Sequence, residues 1–108
     1  MTYGLPARFA GSIFQEPSMA DYMITCDLKR PDQEYHHLLR ALAAYPDSLH
    51  ILETTWLVRT MATPDLILAD LEQYVDVEDQ MFIAVIQTPA AWSDSLGVDR
   101  VLHFFSQR

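Results

Sequence analysis

A chain of 108 residues has room for one domain, and with half of its residues hydrophobic it can form a packed core rather than remain disordered. Its formal net charge of −8 disfavours binding to nucleic acid phosphates and favours a basic protein partner or a bound cation. The single cysteine, Cys26, excludes an intramolecular disulfide and predicts a reducing, cytoplasmic setting in which this thiol is buried and inert.

The first eighteen residues show no sustained hydrophobic period, because Gly4, Pro6, Gly11 and Pro17 interrupt them. We interpret residues 1–18 as an N-terminal arm, with a short strand around 8–14, and residues 19–108 as the single domain. The interruptions also exclude the continuous apolar core of a signal peptide. No apolar run elsewhere approaches the ~20 residues of a membrane helix, so no membrane association is expected.

The first predicted element of the domain is a strand over Tyr22–Asp27, which Pro31 breaks. Alternation gives it two faces, one bearing Tyr22, Ile24 and Cys26 and the other Met23, Thr25 and Asp27. A helix follows, with Asp32 as its predicted N-cap and Glu34 in the first turn. Its apolar stripe is formed by Tyr35, Leu38, Leu39 and Leu42, and Pro46-Asp47 ends it.

Two strands are predicted next, over Leu49–Glu53 and Thr55–Thr60. Thr63-Pro64-Asp65 is typical of a helix start, with an N-cap threonine, a proline at the first position and an acid in the first turn. The buried face of this second helix is predicted to comprise Ile67, Leu68, Leu71 and Tyr74.

An acidic turn over Asp76–Asp79 leads to a strand over Met81–Ile86. This strand is continuously apolar, which favours a position in the centre of the sheet or cover on both faces. A final helix is predicted to begin at about Asp94 or Val98, with Val98, Val101, Leu102 and Phe105 spaced as its apolar stripe.

The order β-α-β-β-α-β followed by a helix predicts an α+β ferredoxin-like domain, with two helices on one face of a four-stranded antiparallel sheet. Handedness rules place the first and third strands in the centre. The second sheet face is then bare unless a partner, the N-terminal arm or the last helix covers it. Met23, Thr25 and Leu57 are the predicted residues of that face.

Asp27 is the first candidate site residue, because a carboxylate at a strand end can bind a metal ion. The alternative is that Asp27 accepts backbone N–H groups of the loop Lys29–Asp32. Lys29 and Arg30 beside it could contact a phosphate or pair with surface acids. Arg40 and Arg59 are the other cations that could gather near this strand end.

Trp56 and Trp92 are the candidate aromatic binding residues. Trp56 is predicted to lie in the core or in a dimer interface, and Trp92 to anchor a segment packed across a dimer. The histidines lack ligand spacing, since His36 and His37 are adjacent on a helix and point about 100° apart. Asp76–Asp79 lacks the glycine and terminal glutamate of an EF-hand loop, so a solvated turn is expected there.

Several of these segments together resemble the SinR-like proteins, a group that is similar to the CRISPR-associated protein 2 family. The resemblance is carried by Tyr22–Pro31, Tyr35, Leu52–Val58, Thr63–Ile67 and the acids Asp76 and Asp79. It covers roughly residues 22–86. It is densest in the Asp27-Leu-Lys-Arg-Pro31 tail of the first strand and in Glu53-Thr-Thr-Trp56.

The resemblance implies a ferredoxin-like homodimer in which Asp27 lies near its symmetry mate and, with Mg²⁺, cleaves phosphodiesters. Family members also act as structural dimers that hold a protein partner and duplex DNA. The acidic composition departs from that pattern, so our leading interpretation is a dimeric protein-interaction module with a basic protein partner, in phage defence or counter-defence. The alternative is a divalent-metal-dependent endonuclease acting on RNA or DNA through paired Asp27.

Overall fold

The computed structural model of the chain describes residues 19–30 and 35–106. The predicted N-terminal arm and the predicted helix cap at Asp32 with Glu34 lie outside these residues. The elements in chain order are β1 (Ala20–Asp27), α1 (His36–Ala43), β2 (Asp47–Leu52), β3 (Thr55–Thr60), α2 (Pro64–Glu72), β4 (Gln80–Ile86), a 3-10 turn (Asp94–Leu96) and α3 (Val98–Phe105).

The four strands form one antiparallel sheet in the order β2-β3-β1-β4. β1 and β3 therefore occupy the centre, as predicted. Ile24 in β1 lies opposite Trp56 of β3 on one side and Ile83 of β4 on the other. The predicted α+β class with a four-stranded antiparallel sheet is confirmed, and the arrangement is compatible with a ferredoxin-like domain.

The main core lies between one face of the sheet and the helices α1 and α2. Its fully or nearly buried members are Tyr22, Ile24, Cys26, Leu38, Leu42, Trp56, Val58, Ile67 and Leu71. The predicted inner face of β1 is confirmed, because Tyr22, Ile24 and Cys26 are all among them. Burying each large apolar side chain contributes about 1.5–3 kcal/mol, so this cluster is the principal source of stability.

The predicted stripe of α1 is confirmed only in part. Leu38 and Leu42 are fully buried, whereas Leu39 is 43% exposed. The helix begins only at His36, after Tyr35, and ends at Ala43, before the predicted stop. Its eight residues make about two turns, so only a narrow strip of it faces the sheet.

The start of α2 agrees with the sequence signal. The Thr63 hydroxyl oxygen accepts the Leu66 backbone N–H at 3.3 Å, and Pro64 is the first helical residue. The helix ends at Glu72, so Tyr74 lies beyond it rather than on its face. Ile67 and Leu71 are fully buried and supply most of the contact with the sheet.

The last helix covers part of the second sheet face, one of the three covers that the sequence allowed. Val101 and Phe104 of α3 are buried, as is Leu57 of β3. Leu102 was predicted to belong to the buried stripe and is instead 53% exposed, because α3 presents Val101 and Phe104 to the sheet. Gly97 precedes the helix with φ +102°, a conformation that strains residues with a Cβ.

The predicted central or doubly covered position of the last strand is wrong. β4 pairs with β1 on one side only and forms an edge of the sheet. Its Phe82 and Val85 are 62% and 57% exposed, on opposite faces. An apolar run favours a covered strand, but these two side chains of the edge strand are largely exposed. Within the described residues no helix combines the length and apolarity needed to cross a bilayer.

Candidate functional site

Asp27 ends β1 opposite Gln80 of β4 and lies on the surface. Its side chain is 63% exposed, and its Oδ2 accepts a hydrogen bond from Lys29 Nζ at 2.7 Å. Such an exposed ion pair contributes little to stability, roughly 0.2–1 kcal/mol. The carboxylate is therefore accessible, with a lysine as its neighbour.

The backbone N–H group of Lys29 donates to Asp79 rather than to Asp27, with an N–Oδ1 distance of 2.8 Å. The second oxygen of Asp79 accepts the Asp76 backbone N–H at 2.8 Å, and the Tyr35 hydroxyl lies 3.3 Å from it. Asp79 thus ties the turn before β4 to the loop after β1 and to the start of α1. The sequence indicated a turn at Asp76–Asp79 but did not identify this linking role.

The protonation state of Asp79 follows from these contacts. Burial opposes the charged form, but two backbone N–H donors, the Tyr35 hydroxyl and the positive charge of Arg30 outweigh it. They hold the pKa of the Asp79 carboxyl below its ordinary value of 3.8. Asp79 is therefore ionised at neutral pH, and it acts as a fixed acceptor.

Arg30 is held by the same acidic turn. Its Nε lies 2.9 Å from Glu78 Oε2 and 3.3 Å from Asp76 Oδ2. The hydrogen bond and charge of Glu78, followed by the charge of Asp76, raise the pKa of Arg30 above its ordinary value. Of the two predicted outcomes for Lys29 and Arg30, pairing with surface acids is the one observed.

Cys26 precedes Asp27 and faces the core. Burial, with a further contribution from the charge of Asp79, raises the pKa of this thiol to about 11. The thiol is therefore neutral at pH 7 and is not an activated nucleophile. The prediction of a buried cysteine is confirmed.

Neither candidate aromatic residue lies beside Asp27. Trp56 is 5% exposed and lies in the core, which is one of the two environments predicted for it. The ring of His50 stacks on Trp56, with 4.3 Å between the ring centroids. Trp92 is half-buried and lies 6.5 Å from Phe105 in α3, between ring centroids. Its predicted role across a dimer stays a prediction.

Trp92 lines an apolar groove of about 420 Å³ on the second sheet face, beside α3. The sheet contributes Met23, Leu57 and Ile86 to its walls, and α3 contributes Phe105. This groove is one part of the second face that the last helix leaves open. The predicted assignment of Met23 and Leu57 to that face is confirmed.

Arg59 does not gather with Lys29 and Arg30, because it lies at the opposite end of β1. Its Nε donates to Asp21 Oδ1 at 2.7 Å, and both side chains are almost fully buried. Its Nη2 donates to the Phe104 carbonyl oxygen at 2.8 Å, and Nη1 lies 3.3 Å from Asp47 Oδ2. The predicted β1–β3 pairing could have suggested the contact, since Asp21 and Arg59 share a face and a register position.

The described residues contain no group of three or more His, Cys, Asp or Glu side chains able to hold a metal ion. His36 and His37 lie side by side at the start of α1, and His103 lies on α3. Among residues 19–30 and 35–106, Asp27 therefore has no set of neighbouring side chains that would complete a cation site.

Comparisons of this chain with protein-family models, with characterised proteins and with solved structures find no match in any of the three.

Proposed function

We propose that the chain is a ferredoxin-like domain resembling CRISPR-associated protein 2 and that it acts as a dimeric protein-interaction module with a basic protein partner. The strand order β2-β3-β1-β4, with α1 and α2 on one face, supports the ferredoxin-like assignment. The resemblance described for residues 22–86 supports the dimer, and it places the module in phage defence or counter-defence.

The observation that carries the choice of partner is that carboxylates neutralise three of the described cations. Lys29 and Arg30 pair with carboxylates, and Arg59 is buried against Asp21. In a chain with a formal net charge of −8, the field that remains at the surface is negative. Such a field attracts basic proteins and repels the phosphates of duplex DNA.

The endonuclease alternative rests on Asp27 alone. Two Asp27 carboxylates at a dimer axis would supply oxygen ligands for Mg²⁺, and water would complete the coordination. The lysine partner of Asp27 competes for the same oxygen, and within the described residues Asp27 belongs to no group of three or more potential ligand side chains. The interaction module is therefore the function that the geometry favours.

The proposal is tested by light scattering and by fluorescence anisotropy. We expect a dimer at micromolar concentration. We also expect binding to a labelled lysine-rich peptide that weakens with salt, and no binding to a labelled duplex DNA or to single-stranded RNA. A monomer, or tighter binding to either nucleic acid than to the peptide, would overturn the proposal.

The alternative has its own assay. RNA and duplex DNA are incubated with the wild type and with Asp27→Ala, in Mg²⁺ and in EDTA. The interaction module predicts that each substrate stays intact with both proteins, in Mg²⁺ and in EDTA. Cleavage that requires Mg²⁺ and disappears in Asp27→Ala would establish the endonuclease instead.

A further inference from the structure

The outer edge of β4 lacks the features that normally protect an edge strand. Natural edges carry charges, prolines or bulges that prevent pairing with another chain. The β4 sequence Gln-Met-Phe-Ile-Ala-Val-Ile has neither a charged residue nor a proline, and its pairing with β1 is regular from Gln80 to Ile86. Phe82 and Val85 are largely exposed.

The opposite edge of the sheet is protected in the expected way. β2 begins with the charged Asp47 and contains an irregularity between His50 and Leu52. Phe104 of α3 and the first residues of β2 line a common cleft, so the helix lies beside this strand. β4 is therefore the edge at which a further strand can pair with the sheet.

Hydrogen-bond alternation identifies which groups of β4 face outward. The Cys26 N–H donates to Thr54 O at 2.9 Å, so the backbone groups of Cys26 point away from β4. The neighbouring Thr25 consequently bonds with β4, through its partner Phe82. By the same alternation, the N–H and C=O groups of Met81, Ile83 and Val85 point to the outside of the sheet.

We propose that β4 pairs antiparallel with β4 of a second copy, about a two-fold axis at Ile83, to form a continuous eight-stranded sheet. This inference rests on the dimerisation of the proposed function, and it gives the dimer an interface different from the one with paired Asp27 that the resemblance implies. The axis at Ile83 pairs Met81 with the second copy's Val85, so all three outward-facing residues exchange backbone bonds, about six in total.

The side chains of β4 suit pairing with an identical strand. The bulky Phe82 falls opposite the second copy's Ala84 on one face, and Met81 falls opposite Val85 on the other. Asp79, just before the strand, falls opposite Gln87, so the two Asp79 carboxylates do not face each other. A groove of about 230 Å³, lined by α2 and by Met81–Ile83, adjoins the strand on the helix side.

The edge dimer has a consequence for Asp27. Asp27 lies opposite Gln80, three residues from the axis, so the two copies of Asp27 are about six residues or ~20 Å apart along the strands. Three strand spacings add ~14 Å across the sheet. In this dimer the two carboxylates do not share a cation.

The register is tested by disulfide trapping of an equimolar mixture of Phe82→Cys and Ala84→Cys proteins. Opposed residues at a non-hydrogen-bonded position lie ~4.5 Å apart between Cα atoms, within the range of a disulfide. Two copies of position 82, or two of position 84, are diagonal neighbours at about 7–8 Å and crosslink poorly. The buried Cys26 stays in place in both proteins.

On a non-reducing gel we expect a covalent dimer from the mixture. About half of all dimers should be covalent, because random pairing makes about half of them contain one copy of each variant. We expect several-fold less from either protein alone. Equal crosslinking in all three samples would overturn the register.

A charge variant provides the second measurement. Val85→Lys places a charge on the edge, and Leu102→Lys on α3 is the matched control because its side chain is exposed to a similar degree, 53% against 57%. We expect the dimer dissociation constant to rise roughly tenfold or more for Val85→Lys, because a charge in an apolar interface is costly. We expect no change for the control, with circular dichroism verifying that both variants fold.

The outcomes separate this inference from the proposed function. A dimer that neither crosslinks in the mixture nor responds to Val85→Lys overturns the edge interface, while the dimeric module stands. A wild-type monomer overturns both.

Discussion

Removal of either partner of the buried Arg59–Asp21 pair is expected to destabilise the fold strongly. Only 5% of the Arg59 side chain and 2% of the Asp21 side chain are exposed, and the two are joined at 2.7 Å. Breaking a buried pair leaves an uncompensated charge and costs about 3–5 kcal/mol. Since a domain of this size has roughly 5–15 kcal/mol of stability, each single change removes a large share.

The perturbations are Arg59→Met and Asp21→Leu, alone and together. Asp21→Leu should lower the free energy of unfolding by about 3 kcal/mol, the lower end of the range for a broken buried pair. Asp47 and the Phe104 carbonyl still compensate the charge of Arg59 in this variant. Arg59→Met should cost about 3–5 kcal/mol because it removes the cation that faces the buried Asp21 carboxylate at 2.7 Å. The double variant removes both charges and should lower the free energy of unfolding by only about 1–3 kcal/mol. Most of this loss arises because the Phe104 carbonyl no longer has the Arg59 donor.

The assay is urea unfolding followed by circular dichroism at pH 7, with the free energy of unfolding taken by linear extrapolation. Lys29→Met is the control, since the exposed Lys29–Asp27 pair should contribute under about 1 kcal/mol. Single changes that cost as little as this control, or a double variant whose cost equals the sum of the singles, would refute the reasoning.

Three further predictions concern stability and reactivity. Asp79→Ala should cost about 1–2 kcal/mol through two lost backbone hydrogen bonds. Because the folded pKa of Asp79 is depressed, its contribution is present above pH 3.8 and is lost as pH falls through the folded pKa. Urea midpoints of Asp79→Asn should therefore vary less below about pH 4 than those of the wild type, and identical profiles would contradict this. Thr63→Ala should lower the free energy of unfolding by about 1 kcal/mol, because α2 loses its N-cap hydrogen bond. Thr88→Ala, at an exposed position, is the control and should show no change in the same urea titration. Cys26 should react with a thiol reagent at pH 8 only after unfolding in urea, and rapid reaction of the native protein would show that the thiol is accessible.

The secondary structure was largely predictable because its signals are local. Alternation along Tyr22–Asp27 identified the buried face of β1, and Thr63-Pro64 identified the start of α2. Both signals depend on residues within one turn or one strand of each other. The boundaries were less accurate, as α1 and β2 illustrate, because packing decides where a short helix ends.

The candidate site was predicted less well because it depends on contacts between distant segments. Asp27 was predicted to bind a metal ion or, as the alternative, to accept N–H groups of the loop Lys29–Asp32. The Lys29 N–H instead donates to Asp79, fifty positions away in the chain. Arg59 was grouped with the cations of the first strand end, but antiparallel pairing places it at the other end, against Asp21. Neither contact leaves a pattern in the neighbouring sequence.

The sequence by itself determined the types of element, the residues of the inner β1 face, the excess of acid and the uncharged, apolar character of the last strand. Only the tertiary structure decided that Phe82 and Val85 of this strand are exposed, that Asp79 joins the loops, and that Arg59 is buried. The physical reason is that periodicity is set by neighbouring residues, whereas strand order and register are set by pairing between distant ones.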